Sequence, residues 1–96
     1  MKEYPDSIRF DGMPEICKMI EEEHQKQFDK WGIQKRTLFE WLAYLTEEVG
    51  ELAEAICENE YRGGDIEEIK KEAVQVAALA FKIINNLPRS CNNKGG

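Results

Sequence analysis

Acidic and amide side chains occur in two short groups separated by about twenty residues. The first group is Glu47, Glu48 and Glu51, and the second is Glu72 with Gln75. Residues three apart on a helix are surface neighbours, so Glu48 and Glu51 point the same way, as do Glu72 and Gln75. If the two helices that carry these groups pack antiparallel through a short connection, several oxygens converge in one cleft.

A cluster of this kind indicates a bound cation. Carboxylates brought together repel and raise one another's pKa, and a divalent ion that neutralises them is the best explanation for their proximity. The candidate ligands are hard oxygens, and the Glu-x-x-His pattern of di-iron bundles is missing, so Mg²⁺ or Mn²⁺ is expected. Magnesium held by carboxylates keeps positions open for water and phosphate oxygens, which makes phosphoanhydride chemistry a hypothesis.

The alternative explanation of such acids is a solvated helix face. We prefer it for Glu54 and Glu58, which lie on a face of acidic residues. It is less suitable for Glu72, because this residue precedes a long apolar run in which an unpaired charge is costly.

Length and charge restrict the class of protein. Ninety-six residues predict one domain, residues 1–96, with a core at about 13–87. A net charge of -6 argues against a nucleic-acid polymer as partner. The apolar runs are too short to span a bilayer and the N-terminus does not resemble a signal peptide, so we expect no membrane partner and a cytoplasmic location. Cys17, Cys57 and Cys91 form no C-x-x-C pair, and we expect reduced thiols.

Gly and Pro residues divide the chain into three main helices, which predicts an all-α fold. Helix one should run from near Met13 to about Trp31, where Gly32 can end it. Helix two should begin at a capping box formed by Thr37 and Glu40 and end at about Tyr61. Helix three should begin with a similar pair, Asp65 and Glu68, and end before Pro88. Residues 1–10 should be irregular and residues 89–96 loosely ordered.

The apolar patterns predict that the chain completes a helical bundle by oligomerisation. Helix two has a long apolar arc that we expect to be buried, with Glu48 at its border. Helix three has only Gln75 and Lys82 as polar residues between Ala73 and Ile84, so it should be covered on most of its circumference. A chain this short does not easily cover such faces alone, which favours a homodimer or homotetramer.

The arrangement E-E-x-x-E, about twenty residues, then E-x-x-[D or Q] resembles the MazG-like all-alpha nucleoside triphosphate pyrophosphohydrolases of small phage and bacterial type. The similarity covers residues 15–87 and includes Lys30-Trp31-Gly32, the segment 40–51 and the segment 72–78. The resemblance implies Mg²⁺-dependent hydrolysis of a (deoxy)nucleoside triphosphate to the monophosphate and pyrophosphate, with water attacking the α-phosphorus.

The resemblance also implies roles for individual residues. Glu48, Glu51 and Glu72 would be metal ligands, and Glu47 would orient or deprotonate the attacking water. The fourth ligand position falls on Gln75, where the wider family has an aspartate. A neutral amide oxygen can coordinate Mg²⁺ but should hold it more weakly. The alternative function is therefore a catalytically weakened or inactive helical oligomer that binds a nucleotide or a protein partner.

Four further residues are candidates for contacts with the nucleoside triphosphate. Trp31 could stack on a base, Lys30 and Lys82 could meet phosphate oxygens, and His24 could touch the edge of the substrate. Each has a simpler explanation: a Trp on an apolar face is often core, surface Lys residues serve solubility, Lys82 can extend to water, and His24 lies on a polar stretch.

Overall fold

The computed structural model describes residues 2, 3, 5 and 11–88 and is all-helical over this part of the chain. Its elements are α1 (Met13–Trp31), α2 (Leu38–Arg62) and α3 (Ile66–Asn85). The prediction of three helices is confirmed, with ends within a few residues of those expected. The predictions for the other residues of 1–10, for 89–96 and for Cys91 lie outside the described residues.

Local signals explain where α1 ends and where α2 begins. Gly32, at φ 70°, follows the last residue of α1, and its amide donates to the carbonyl of Phe28 at 2.7 Å. The Thr37 capping box is formed: Glu40 N donates to Thr37 Oγ1 at 3.1 Å, and Thr37 N donates to Glu40 Oε1 at 2.8 Å. The backbone and side-chain hydrogen bonds from Thr37 lower the pKa of Glu40.

A tight turn at Gly63 and Gly64 reverses the chain between α2 and α3. Gly63 adopts the left-handed conformation at φ 67°, which L-residues with a side chain rarely take. Gly64 lies so close to α2 that an added Cβ would meet the Glu58 carbonyl carbon at 3.0 Å. Asn59 Nδ2 donates to the Gly64 carbonyl at 2.8 Å, which holds the turn against the end of α2.

The start of α3 differs in detail from the predicted capping box. Asp65 does cap the helix, because its Oδ1 accepts from Glu67 N at 2.9 Å. The Glu68 side chain instead lies 3.8 Å from Lys71 Nζ. At the other end, Asn85 is the last helical residue, and Pro88 lies just beyond it.

Helix α3 is the central element, as the apolar run predicted. It packs against both α2 and α1, whereas α1 and α2 do not pack against each other within the described residues. The buried apolar side chains there are Trp41, Ala78 and Leu79, and the buried charged residue is Glu72. Two helices therefore form opposite walls of a cleft whose floor is the third.

A single chain leaves much of the apolar faces of α2 and α3 exposed. On α2, Trp41 is buried and Leu45 and Leu52 are partly covered. The other apolar residues of the predicted arc remain exposed, namely Leu38, Leu42, Val49, Ala53 and Ile56. On α3, Phe81 is 50% exposed and Ile84 is 70% exposed. The reason is geometric, because each helix face needs its own neighbour and the chain supplies α2 with only one.

None of the described helices combines the length with the apolar character that crossing a bilayer requires.

The capping box at Thr37 gives a direct test of the fold. We expect Thr37→Ala to lower the free energy of unfolding by about 1 kcal/mol, because the Glu40 amide loses its acceptor. Thr37→Ser keeps the hydroxyl oxygen and should remain within about 0.3 kcal/mol of the parent protein. Urea denaturation followed by circular dichroism measures both changes. Equal losses in the two variants would contradict the capping role.

Candidate functional site

A cleft of about 420 Å³ lies between α1 and α2, above α3. Its volume is within the range of small-molecule sites in proteins. Each of the three helices and the loop before α2 contributes side chains to its wall, and all of them except Leu79 are polar or aromatic. These are Glu23, Gln27 and Trp31 from α1, Gln34 and Arg36 from the loop, Trp41, Tyr44, Glu47 and Glu48 from α2, and Gln75, Leu79 and Lys82 from α3.

The acids of α2 form a compact group at one end of this cleft. Carboxylate oxygens of Glu47, Glu48 and Glu51 all lie within 4.8 Å of one another. The ligand oxygens of one octahedral Mg²⁺ lie within about 4.2 Å of one another, so the separations in this group are similar to those of a coordination set. The structure thus groups Glu47, expected to act on water, with the expected ligands Glu48 and Glu51.

Glu72 and Gln75 on α3 meet the group through Glu48. Glu72 is 9% exposed, so its carboxylate lies below the surface formed by the other acids. With its amide nitrogen turned toward them, Gln75 donates to Glu48 Oε1 at 2.6 Å and to Glu72 Oε1 at 3.0 Å. With its oxygen turned toward them, Gln75 would face only acceptors, an arrangement that needs a cation between them.

The four predicted metal ligands and Glu47, the residue predicted to act on water, therefore lie together, but they open into two different cavities. Glu47, Glu48 and Gln75 line the cleft described above. Glu51 and Glu72 line a smaller cavity of about 300 Å³ between α2 and α3. The walls of that cavity also carry Glu54, Glu58, Asp65 and Glu68.

Glu48 has a strongly raised pKa. Burial, followed by the charge of Glu51, a hydrogen bond with Glu72 and the charges of Glu72 and Glu47, raises its pKa to about 7. At neutral pH the metal-free site therefore holds a proton on Glu48 for a substantial fraction of the time. A cation that enters the group replaces this proton, because metal ligands bind in the deprotonated form.

Lys82 contributes a positive charge to the same cleft. Its Nζ lies 5.2 Å from the centre of the Trp41 ring and donates a hydrogen bond to Gln27 Oε1. Burial lowers the pKa of Lys82, and the charge of Glu23 partly opposes this effect. The Glu23 carboxylate is itself tied to Gln27, whose Nε2 donates to it at 2.9 Å. A cation held in this way is positioned for an anionic ligand.

Three aromatic side chains, Trp31, Trp41 and Tyr44, also line the cleft. Trp31 is 55% exposed and lines the cleft, as its candidate role requires. Trp41 is 3% exposed, and its buried Nε1 has no hydrogen-bond partner in the described residues. Arg36 stacks on Tyr44 with 5.1 Å between the guanidinium carbon and the ring centre, which keeps its charge at the cleft wall.

Two of the predicted substrate contacts lie outside this cleft. Lys30 extends over the Trp31 ring, with Nζ 4.7 Å from the ring centre, and does not line the cleft wall. His24 turns toward α3, where its Nε2 lies 3.2 Å from the Ala78 carbonyl and its ring meets the edge of Phe81. The structure therefore groups Trp31 and Lys82 with the acids, and it places Lys30 and His24 beside them.

Comparison with protein-family models, with curated proteins and with solved structures gives no match.

Of the α1 residues that line this cleft, Trp31 was predicted from the sequence, but Glu23 and Gln27 were not. Glu21 and Glu22 are exposed, as expected for a charged helix face, but the Glu23 side chain is only 12% exposed and faces the cleft. A signal was present, because Glu23, Gln27 and Trp31 follow one another at four-residue intervals and so share one face of α1.

The raised pKa of Glu48 predicts how stability depends on pH without metal. The folded state keeps a proton on Glu48 that the unfolded chain releases near pH 4.5, so this contribution is complete below that pH and is lost as pH rises through about 7. With solvent screening at this partly exposed site taken into account, we expect the free energy of unfolding to fall by about 1–2 kcal/mol between pH 5 and pH 8.

Urea denaturation in the presence of a chelator measures this dependence. Glu48→Gln carries no titrating group and should flatten the profile, while Glu54→Gln should preserve it. An unchanged slope in Glu48→Gln would show that the acid group is not coupled as described.

Proposed function

We propose that this protein hydrolyses a (deoxy)nucleoside triphosphate to the monophosphate and pyrophosphate in the presence of Mg²⁺, or of Mn²⁺. The observation that carries the proposal is the composition of the cleft. Glu47 and Glu48, two members of an acid group suited to a divalent cation, share it with the cations Lys82 and Arg36. A metal-bound triphosphate needs both kinds of group, because its phosphates contact the metal and positive side chains.

The ligand set consists of hard oxygens suited to Mg²⁺. We assign Glu48, Glu51, Glu72 and Gln75 to the metal, with Glu48 losing its proton when the ion binds. The cation would polarise the phosphate oxygens and offset the negative charge that gathers among the acids. Gln75 would present its amide oxygen to the ion instead of donating hydrogen bonds to Glu48 and Glu72.

Glu47 is the candidate base. It is exposed at the edge of the acid group, where a water molecule can reach it. In this mechanism its carboxylate orients the water and takes a proton as the water oxygen bonds to the α-phosphorus. The bond between the α-phosphorus and its bridging oxygen breaks, and pyrophosphate leaves with that oxygen.

The remaining contacts hold the substrate. Lys82 and Arg36 would meet phosphate oxygens, and the exposed Trp31 ring would stack on the base. Lys30 and His24, which lie beside the cleft, would act at its margin. The composition of the chain favours a cytoplasmic location for this activity, where nucleoside triphosphates are found, and the exposed apolar faces favour a homo-oligomer.

One observation favours a second candidate function, a helical oligomer that binds a nucleotide or a protein partner without hydrolysis. The amide of Gln75 can satisfy Glu48 and Glu72 in the absence of a metal, which lowers the need for a cation in the acid group. A neutral residue at this position also removes one of four possible charges from the ligand set.

Release of pyrophosphate distinguishes the two functions. Incubation of the purified protein with a panel of nucleoside triphosphates and Mg²⁺ should release pyrophosphate, and Glu48→Gln or Glu72→Gln should reduce the rate by at least about 100-fold. Glu54→Gln, one helical turn from the acid group, should retain activity within about twofold. Circular dichroism checks that the helices remain. Nucleotide binding without any pyrophosphate would instead favour the binding protein.

The role of Lys82 is tested by a pair of substitutions. We expect Lys82→Met to raise KM for the triphosphate by about tenfold with little change in kcat, because the cation contributes to binding in the ground state and the transition state alike. Lys82→Arg keeps the charge and should restore part of the affinity. Steady-state pyrophosphate release measures both constants, and an unchanged KM in Lys82→Met would exclude a phosphate contact.

A further inference from the structure

Gln27 lies between two opposite charges in the cleft. Its amide oxygen accepts a hydrogen bond from Lys82 Nζ on α3, and its amide nitrogen donates to Glu23 Oε2 at 2.9 Å. All three side chains line the cleft. An ammonium only donates and a carboxylate only accepts, whereas an amide does both, so a glutamine can join the two charges without carrying one.

The two charges do not form a direct ion pair. Within the described residues, the ion pair of Glu23 is with Lys26, at 3.8 Å between Oε1 and Nζ. Lys82 contacts the Gln27 oxygen and, at 5.2 Å, the centre of the Trp41 ring. Both of these partners are uncharged, so the charge of Lys82 is not neutralised by direct contact with them.

Glu23 is nevertheless near enough to attract Lys82. Burial lowers the pKa of Lys82, and the charge of Glu23 raises it. The Glu23 side chain is only 12% exposed, so water screens the attraction less than at the protein surface. A lysine side chain is long and flexible, and we expect the ammonium to move onto the carboxylate when the amide between them is removed.

A direct pair between Lys82 and Glu23 would compete with an anionic ligand. Hydrogen bonds to an ionised acceptor are roughly twice as strong as those to a neutral one, so a phosphate oxygen replaces an amide oxygen at an ammonium more easily than it replaces a carboxylate. In a partly buried cleft, the ligand would also leave the displaced carboxylate without its partner. The neutral amide therefore leaves the cation ready for a phosphate.

We propose that Gln27 is a positioning residue, which separates Lys82 from Glu23 and thereby keeps the ammonium available to a phosphate group of the ligand. The inference rests on the phosphate contact of Lys82 in the proposed function. Glu23 also has a part in this arrangement, because its bond to the Gln27 nitrogen turns the amide oxygen toward the ammonium. Glu23 thus assists Lys82 through the amide, although in direct contact its charge would hold Lys82 away from a ligand.

Gln25 provides a matched comparison on the same helix. Its Nε2 donates to Asp29 Oδ1 at 2.9 Å, so it also makes a hydrogen bond to an acid four residues away. This bond is exposed to solvent, and Gln25 does not line the cleft. Substitution of either glutamine with methionine removes one such bond and keeps an unbranched side chain. A difference between the two variants therefore reports the place of Gln27 in the cleft.

Binding of inorganic triphosphate to the full chain in the presence of Mg²⁺ tests this role without requiring hydrolysis. Isothermal titration calorimetry gives the dissociation constant. We expect Gln27→Met to raise it by about tenfold, because Lys82 then pairs with Glu23, and Gln25→Met to leave it within about twofold. Gln27→Asn, whose shorter amide cannot reach both charges, should act in the same direction. Circular dichroism checks that the helices remain in each variant.

Removal of the carboxylate distinguishes separation of the charges from a merely structural tie between α1 and α3. In the parent protein, Glu23→Gln should change the dissociation constant by no more than about threefold. Combined with Gln27→Met, it should restore binding to within about threefold of the parent value, because Glu23 no longer offers a charge to Lys82. Additive effects of the two substitutions, an unchanged dissociation constant in Gln27→Met, or a parent protein that does not bind triphosphate would each overturn the proposal.

Lys82 itself provides a readout that needs no ligand. Its ¹³Cε resonance, followed by NMR against pH, should give a higher pKa in Gln27→Met than in the parent protein, and Glu23→Gln should remove the difference. Equal pKa values in Gln27→Met and the parent protein would contradict the direct pair.

Steady-state kinetics separate this proposal from the proposed hydrolysis. In active protein, Gln27→Met should raise KM by about tenfold and leave kcat within about twofold. Triphosphate binding without release of pyrophosphate would exclude the hydrolysis and leave this role of Gln27 intact. Hydrolysis with an unchanged KM in Gln27→Met would do the opposite.

Discussion

The organisation of this protein depends on one electrostatic constraint, the gathering of carboxylates around the partly buried Glu48. Acids at this separation repel each other, and the cost must be offset by a proton, by an amide or by a metal ion. The metal-free structure uses the first two, because the pKa of Glu48 is raised to about 7 and Gln75 can donate to it. The proposed function follows from replacing both by a divalent cation.

Helix α3 makes this gathering possible. Gln75 and Lys82 bring an amide and a cation to the space between α1 and α2, and Glu72, on the same side of α3, meets Glu48 beside that space. The apolar residues around them anchor the helix, since Ala78 and Leu79 are buried between its neighbours. The Gly63-Gly64 turn then sets how α2 lies against it, and so where Glu48 meets Glu72.

Local features of the fold could be predicted from the sequence because they depend on neighbouring residues. The Thr37 capping box, the glycine after α1 and the acidic pair at three-residue spacing are examples. The cover over an apolar face could not be predicted in the same way, because periodicity shows that Leu42 and Val49 share a side but not what contacts them. The approach of Lys82 to Gln27 depends on how α1 crosses α3, which no short segment encodes.

The absence of packing between α1 and α2 within the described residues has a mechanical consequence. Each wall is fastened only to α3, so the gap between them can widen or narrow by a tilt of α1 without breaking a contact between the walls. A ligand that contacts Trp31 on α1 and Tyr44 on α2 would hold the two helices at a fixed separation. The length of the ligand would then set the angle between the two helices, and the width of the cleft would depend on which ligand is bound.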